Sequence, residues 1–310
     1  RAGLEAINSG LSGNYVLAND VSLGGTEWAV LGNSVSLAAG GFFAGRVEGL
    51  GHKVSQLSIT SVASSKNTGL FGVVADAALS NIGVAGAISF TNVNTGTYFT
   101  GGLVGQASGS STSSGSVLRN VFADVDVTVS LTNSGGLAQT QTTAGGLIGA
   151  LARLSSLHNA YATGDVSNTG AGNLVTTRGL VGSTLSSSTG IQMSTVYATG
   201  KVRGVGSNAA GNLNLGGLIG NAAGSLALTN AYATGSVTSS GAIAAKYMGG
   251  LIGTLSSATS VINVQQVFAT GMLSRYFAGD YARIGRITSL FFAVGMLAVY
   301  LAPDTSQKQL

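Results

Sequence analysis

The chain predicts an all-β fold, a parallel β-solenoid, on three observations. Two short motifs recur together at intervals of about 36 residues, the mark of a repeat array. No window places apolar residues at i, i+3, i+4 and i+7, as a helix requires, whereas runs such as "VDVTVSL" and "HKVSQLSI" alternate as strands do. Finally, 49 of the 310 residues are Gly and one is Pro, a composition suited to many short strands joined by tight corners.

The first motif is an apolar pair flanked by glycine: "TGLFG" at 68–72, "GGLVG" at 101–105, "GGLIG" at 145–149, "RGLVG" at 178–182, "GGLIG" at 216–220 and "GGLIG" at 249–253. Its leucines, Leu70, Leu103, Leu147, Leu180, Leu218 and Leu251, are placed where a narrow core turns a corner. The second motif reads "NAYATGDV" at 159–166, "TVYATGKV" at 195–202 and "NAYATGSV" at 230–237. Its aromatic column is Phe122, Tyr161, Tyr197, Tyr232 and Phe268. Asn120, Asn159 and Asn230 precede the aromatic, positioned to form a side-chain ladder, and Asn tolerates the left-handed backbone that a corner needs. A repeat of about 36 residues is expected to make two coils of roughly 18, each rising about 4.8 Å.

Charge is sparse. Asp, Glu, Lys and Arg make up 8% of the chain, against about 25% in an ordinary soluble domain. No charged residue occurs from Ala77 to Leu118, and only Lys246 from Gly204 to Ser274. The net charge of +4 is therefore not a clustered basic face, and nucleic-acid binding is not expected. The surface is instead Ser, Thr, Asn, Gln and Gly, which repels its own copies weakly and favours association. With no Cys, neither disulfides nor a thiolate metal site is available, and no cofactor is implied.

The paired "GGL[VI]G" and "YATG.V" motifs resemble the GLUG-type repeats of large bacterial surface proteins, akin to filamentous-haemagglutinin-like exoproteins. The stretch "FFAGRVEGLGHKVSQLSI" at 42–59 is similar to a family segment written F-x-G-x-x-D-G-x-G-H-x-I-x-x-L-x-I. Phe43, Gly45, Gly49, Gly51, His52, Val54, Leu57 and Ile59 fit it, and Glu48 stands where Asp is usual. The resemblance covers roughly residues 4–273. It implies a secreted right-handed parallel β-helix at a bacterial cell surface or in extracellular matrix, in adhesion or biofilm, and it implies no catalytic residues.

The last forty residues read differently. Domain 1–274 is the solenoid, and 275–310 is an apolar C-terminal segment able to form a helix. Ile287–Ala302 carries no charge and follows Arg283 and Arg286. It is short for a membrane span, which needs about 20 apolar residues. Three roles stay open for it: a cap on the open solenoid end, a membrane anchor, or a docking segment for neighbouring subunits or self-association.

Polysaccharide-cleaving β-helices need clustered carboxylates, and this chain has ten acids in all. Asp124 and Asp126 lie two apart on one strand face. Asp126, Asp165, Lys201, Ser236 and Met272 share a column, which two coils per repeat would space at about 10 Å. Asp124, Asp126 and Asp165 are the candidate ligand face, and a solvated column of tolerant positions is the plainer reading. His52 and His158 lack ligand spacing to other His, Asp or Glu, so no metal site is expected, and His52 reads as a structural hydrogen-bonding residue in a Gly-rich turn. Trp28 reads as core or cap. Gly164 can break strand parity, and Phe replaces Tyr at 122 and 268, so the Tyr161 column is expected in the core rather than as an outward strip for stacking on sugars. Thr163, Thr199, Thr234 and Thr270 align, but once per two coils and without a paired Thr, which disfavours ice binding.

The expected function is a non-enzymatic secreted surface protein, an adhesin segment or a structural subunit of an extracellular filament, with host or matrix glycans as partners. The alternative is a carbohydrate-binding or carbohydrate-cleaving β-helix.

Overall fold

The computed structural model describes residues 1–32, 40–61, 67–92, 96–131, 141–170, 174–185, 190–208, 210–256 and 261–269. Residues 270–310, including Ile287–Ala302, Thr270 and Met272, lie outside the described residues.

The strands stack in parallel as a β-solenoid of three faces. One is a long, 13-stranded sheet and the other two are six-stranded, and the pairings between strands are parallel throughout. A single coil is traced by Ser156–Ala162 and Val166–Gly170 on the long face, Leu174–Arg178 on the second and Val181–Thr184 on the third. Ile191–Ala198 then returns to the long face directly above Ser156–Ala162, with Leu157 beside Met193 and Tyr161 beside Tyr197.

One repeat therefore makes one coil, which corrects the expectation of two coils of about 18 residues. The reason is the width of the long face: its strand Val117–Leu131 is 15 residues, leaving no room for a second circuit within a repeat. About six coils at ~4.8 Å give a rise of about 30 Å, less than half of the ~70 Å that fifteen smaller coils would reach.

The "GGL[VI]G" motif is the corner between the second and third faces. Leu70, Leu103, Leu147, Leu180 and Leu218 are fully buried there, one above another. Leu103 donates its backbone N–H to the Leu147 carbonyl at 3.0 Å, and Leu147 donates to Leu180 at 3.0 Å. The corner needs glycine because neighbouring coils nearly touch: a Cβ on Gly182 would lie 1.8 Å from the Gly149 carbonyl oxygen.

The main core lies between the long face and the third face, and a smaller cluster of Val175, Val202, Leu213 and Leu215 lies against the second. At the N-terminus, Ala2–Glu5 and Ala6–Ser9 form short helical turns that bury Leu4 and Ile7 in the main core. Trp28, 2% exposed, donates Nε1–H to the Leu70 carbonyl at 3.1 Å, so it is a core residue. The family-like segment is equally structural. Phe43 is buried, and a Cβ on Gly45 would lie 1.9 Å from the Gly13 carbonyl oxygen. Gly51 has φ of 87°, a conformation that favours glycine.

Candidate functional site

The outer side of the long face carries the candidate residues. In strand Val117–Leu131, burial alternates from Val121 onward, so Phe122, Asp124, Asp126 and Thr128 point out while Val121, Ala123, Val125 and Val127 enter the core. The next coils keep the same parity: Tyr161, Thr163 and Asp165, then Tyr197, Thr199 and Lys201, face outward. Gly164 does not break it. It stays on the inner side, where a Cβ would meet the Val125 carbonyl oxygen at 2.2 Å.

The aromatic column is thus outside the core, which corrects the expectation of burial. Phe122 and Tyr161 stack with centroids 5.1 Å apart, and Tyr161–Tyr197 and Tyr197–Tyr232 with centroids 4.8 Å apart, all within 4° of parallel. Below Phe122 the same position is Gly83, and a Cβ there would lie 2.0 Å from the Phe122 ring, so the ring rests on a glycine seat. Rings stacked on one another recover apolar contact without entering the core, about 0.5–1.5 kcal/mol per pair beyond area burial. The faces of Tyr161 and Tyr197 are covered by their neighbours, so what the column offers a ligand is a row of ring edges and hydroxyls, not a platform for sugar rings. Partial burial, together with the neighbouring Tyr161 and Tyr232, raises the pKa of Tyr197 above its ordinary value.

Asp124, Asp126 and Asp165 are brought together on this surface, on adjacent coils rather than two coils apart. Asp124 Oδ1 accepts from the Thr163 hydroxyl at 2.7 Å. Asp126 Oδ1 accepts the Asp165 backbone N–H at 2.9 Å, and Asp165 Oδ1 accepts that of Lys201 at 2.7 Å. Lys201 Nζ also lies 3.8 Å from Asp165 Oδ2, an exposed contact worth little. The carboxylates therefore tie coil to coil through their Oδ1 atoms. Thr163, Thr199 and Thr234 likewise recur once per coil, not once per two, still with no Thr two residues away.

At one edge of this surface runs a column of left-handed residues, Asn81, Asn120, Asn159, Thr195, Asn230 and Gln266, with φ between 48° and 55°. Asn120 Nδ2 donates to Asn81 Oδ1 at 2.7 Å and Asn159 Nδ2 to Asn120 Oδ1 at 2.8 Å. Asn81 Nδ2 donates to Glu48 Oε1 at 2.8 Å. Glu48 is therefore the foot of the predicted asparagine ladder.

Each histidine has a side-chain partner on an adjacent coil. His52 Nδ1 lies 3.1 Å from Asp20 Oδ1, which also accepts the Lys53 backbone N–H at 3.0 Å. That backbone hydrogen bond, with help from His52, lowers the pKa of Asp20. His158 Nδ1 lies 2.5 Å from the Ser194 hydroxyl, and burial, with Arg119 beside it, lowers its pKa. Among the described residues no group of three His, Asp or Glu side chains could hold a metal ion.

Sequence reasoning passed over Arg178. It occupies the position that is Gly101, Gly145, Gly216 and Gly249 in other coils, and it is 0% exposed. Its three guanidinium nitrogens have no hydrogen-bond partner, and burial drives its pKa well below the arginine range. The "R" of "RGLVG" was the available signal.

No family model and no curated protein matches the chain, so the GLUG-type resemblance stands on its motifs. Among solved structures, an IgA1 protease is similar at 17% identity and a TM-score of 0.41, over 84% of this chain and 20% of that one. The chain thus spans about a fifth of that structure's length. At this level the likeness carries no conclusion about this chain's activity or substrate. The expectation of a non-enzymatic protein is nevertheless withdrawn, because this neighbour bears an enzyme's name.

Proposed function

We propose that the chain is the β-solenoid segment of a secreted bacterial surface protein of GLUG-like type, working as an adhesin segment. Its contact surface is the outer side of the long face. The observation that carries this reading is the register of the outward side chains. Tyr161, Tyr197 and Tyr232 form one row, Thr163, Thr199 and Thr234 the next, and Asp165, Lys201 and Ser236 a third. Parallel in-register stacking repeats each chemical group at the coil rise of about 4.8 Å, giving a rigid surface of hydroxyls with few charges. Such a surface suits polyhydroxylated partners, host or matrix glycans, through many weak hydrogen bonds.

A structural subunit of an extracellular filament is the second reading, supported by the sparsely charged surface, and end-to-end assembly in sedimentation would favour it. The test is binding of the protein to a glycan array and to cell-surface extracts, with a double variant Thr199→Arg, Ser236→Arg as comparison. Both positions are exposed, so the variant should fold normally and lose binding at least tenfold. Unchanged binding by the variant, or no binding by the wild type, would reject the reading.

A further inference from the structure

The second and third faces meet at the glycine corner, and a cleft of about 280 Å³ runs between them along several coils. Gln141, Thr143 and Thr176 line one wall, Ser183 and Asn221 the other, with Phe99 and Leu174 adding apolar surface. Thr176 is 1% exposed, and its Oγ1 has no partner; the buried Oδ1 of Asn221 has none either. Buried polar atoms left unpaired are costly and uncommon, so two of them on one cleft point to a place where a ligand could supply the missing bonds.

Arg178 adds a charge to that place. It lies two residues beyond Thr176 on the same strand and therefore leaves the strand on the same side. Its side chain runs over Gly220, the residue before Asn221: a Cβ on Gly220 would overlap the guanidinium, 1.6 Å from Nε. The guanidinium is thus buried behind the cleft wall, next to the lining residue Asn221 and not itself part of the lining, with no hydrogen-bond partner. Burying an unpaired ion is expensive, and a field in a low-dielectric cleft is focused rather than screened. An anion in the cleft would relieve that cost. The hydroxyl and amide walls suit a sugar, and the volume fits a ligand of about one or two sugar rings.

We propose that the cleft between the two short faces binds a carboxylate-bearing sugar, with Arg178 setting the preference for the acid and Gln141, Thr143, Thr176, Ser183 and Asn221 bonding the hydroxyls. This site is separate from the outer face described above, and neither depends on the other.

The test is calorimetric titration of the full chain with digalacturonate, with neutral digalactose and with sodium sulfate. Arg178→Gly is the informative variant, because glycine holds this position in other coils, and it should melt at least as high as the wild type. The expected result is digalacturonate binding at least tenfold tighter than digalactose, falling at least tenfold in Arg178→Gly while digalactose is unaffected. A second variant, Asn221→Asp, places a negative charge on the wall and should weaken the acid in the same way. Equal binding of acid and neutral sugar, unchanged binding in Arg178→Gly, or no binding at all would overturn the proposal. Sulfate binding as tightly as digalacturonate would overturn its sugar component.

Discussion

Asn159 donates its side-chain amide to the Oδ1 of Asn120, one coil below, at 2.8 Å, and both residues hold a left-handed backbone. The link belongs to a series that starts at Glu48 and ends where Thr195 replaces Asn. A β-branched residue in that conformation is strained, and it has no amide to pass the ladder on. Thr195→Asn should relieve the strain and join Asn159 to Asn230. The expected gain is about 1–2 kcal/mol, read as a rise of a few degrees in thermal unfolding. A lower melting temperature would mean that the Thr195 backbone is held by something other than the ladder.

The acidic column behaves as a set of coil-to-coil ties, and this separates Asp165 from Lys201. Removing the carboxylate in Asp165→Ala leaves the Lys201 N–H, bonded at 2.7 Å, without its acceptor, so stability should fall by about 1 kcal/mol. Lys201→Ala removes only an exposed ion pair at 3.8 Å and should change stability by less than about 0.5 kcal/mol. Denaturant titration of both variants checks the difference. Equal effects would return Asp165 to a solvated position with no structural role.

Glu27 and His158 both contribute to the acid limb of stability. At Glu27, burial alone would raise the pKa, but hydrogen bonds from the Thr60 hydroxyl and N–H and from Ser61 outweigh it and bring the value below 4.5. The folded state therefore gains stability from ionised Glu27 above pH 4.5, and that gain is lost as pH falls through the lowered folded pKa. Glu27→Gln should flatten this part of the curve. His158 has its pKa lowered from 6.5, by burial and then by Arg119, so its contribution is complete above pH 6.5 and is lost as pH falls below it. His158→Asn should remove the part of the slope that begins as pH falls below 6.5. Melting temperatures from pH 3 to 8 for the wild type and both variants check both signs.

The architecture was legible because ladders force repetition. A residue stacked on its own equivalent needs the same size and backbone conformation in each coil, and Gly145, Gly146 and Gly149 of the first "GGLIG" are each fixed by a carbonyl oxygen that would lie under 3 Å from an added Cβ. The asparagine column could be read for the same reason. The coil size could not, because a period counts residues per repeat and says nothing of circuits per repeat. The missed clue was "VLRNVFADVDVTVSL", a strand of 15 residues that an 18-residue coil cannot contain. The direction of Tyr161 was misread because Gly164 was expected to break the alternation, whereas the chain bends there with Gly164 still on the inner side against Val125 and the in–out order preserved. Asp124, Asp126 and Asp165 share the outer side of the long face, and their bonds to the next coil depend on adjacency that only the correct coil size provides.

The claim on which the remaining geometry rests is one coil per repeat, and cysteine pairing tests it directly because the chain has no cysteine of its own. Arg203 and Thr238 are exposed partners on adjacent coils of the long face. Their Cα atoms should stand at the strand spacing of about 4.8 Å, inside disulfide range. A double variant Arg203→Cys, Thr238→Cys should oxidise fully to an intramolecular disulfide, seen by mass and by a shifted band on non-reducing gels. Two coils per repeat would hold the same atoms about 10 Å apart, beyond the reach of a bond. A folded variant whose thiols stay free would contradict the structure described above.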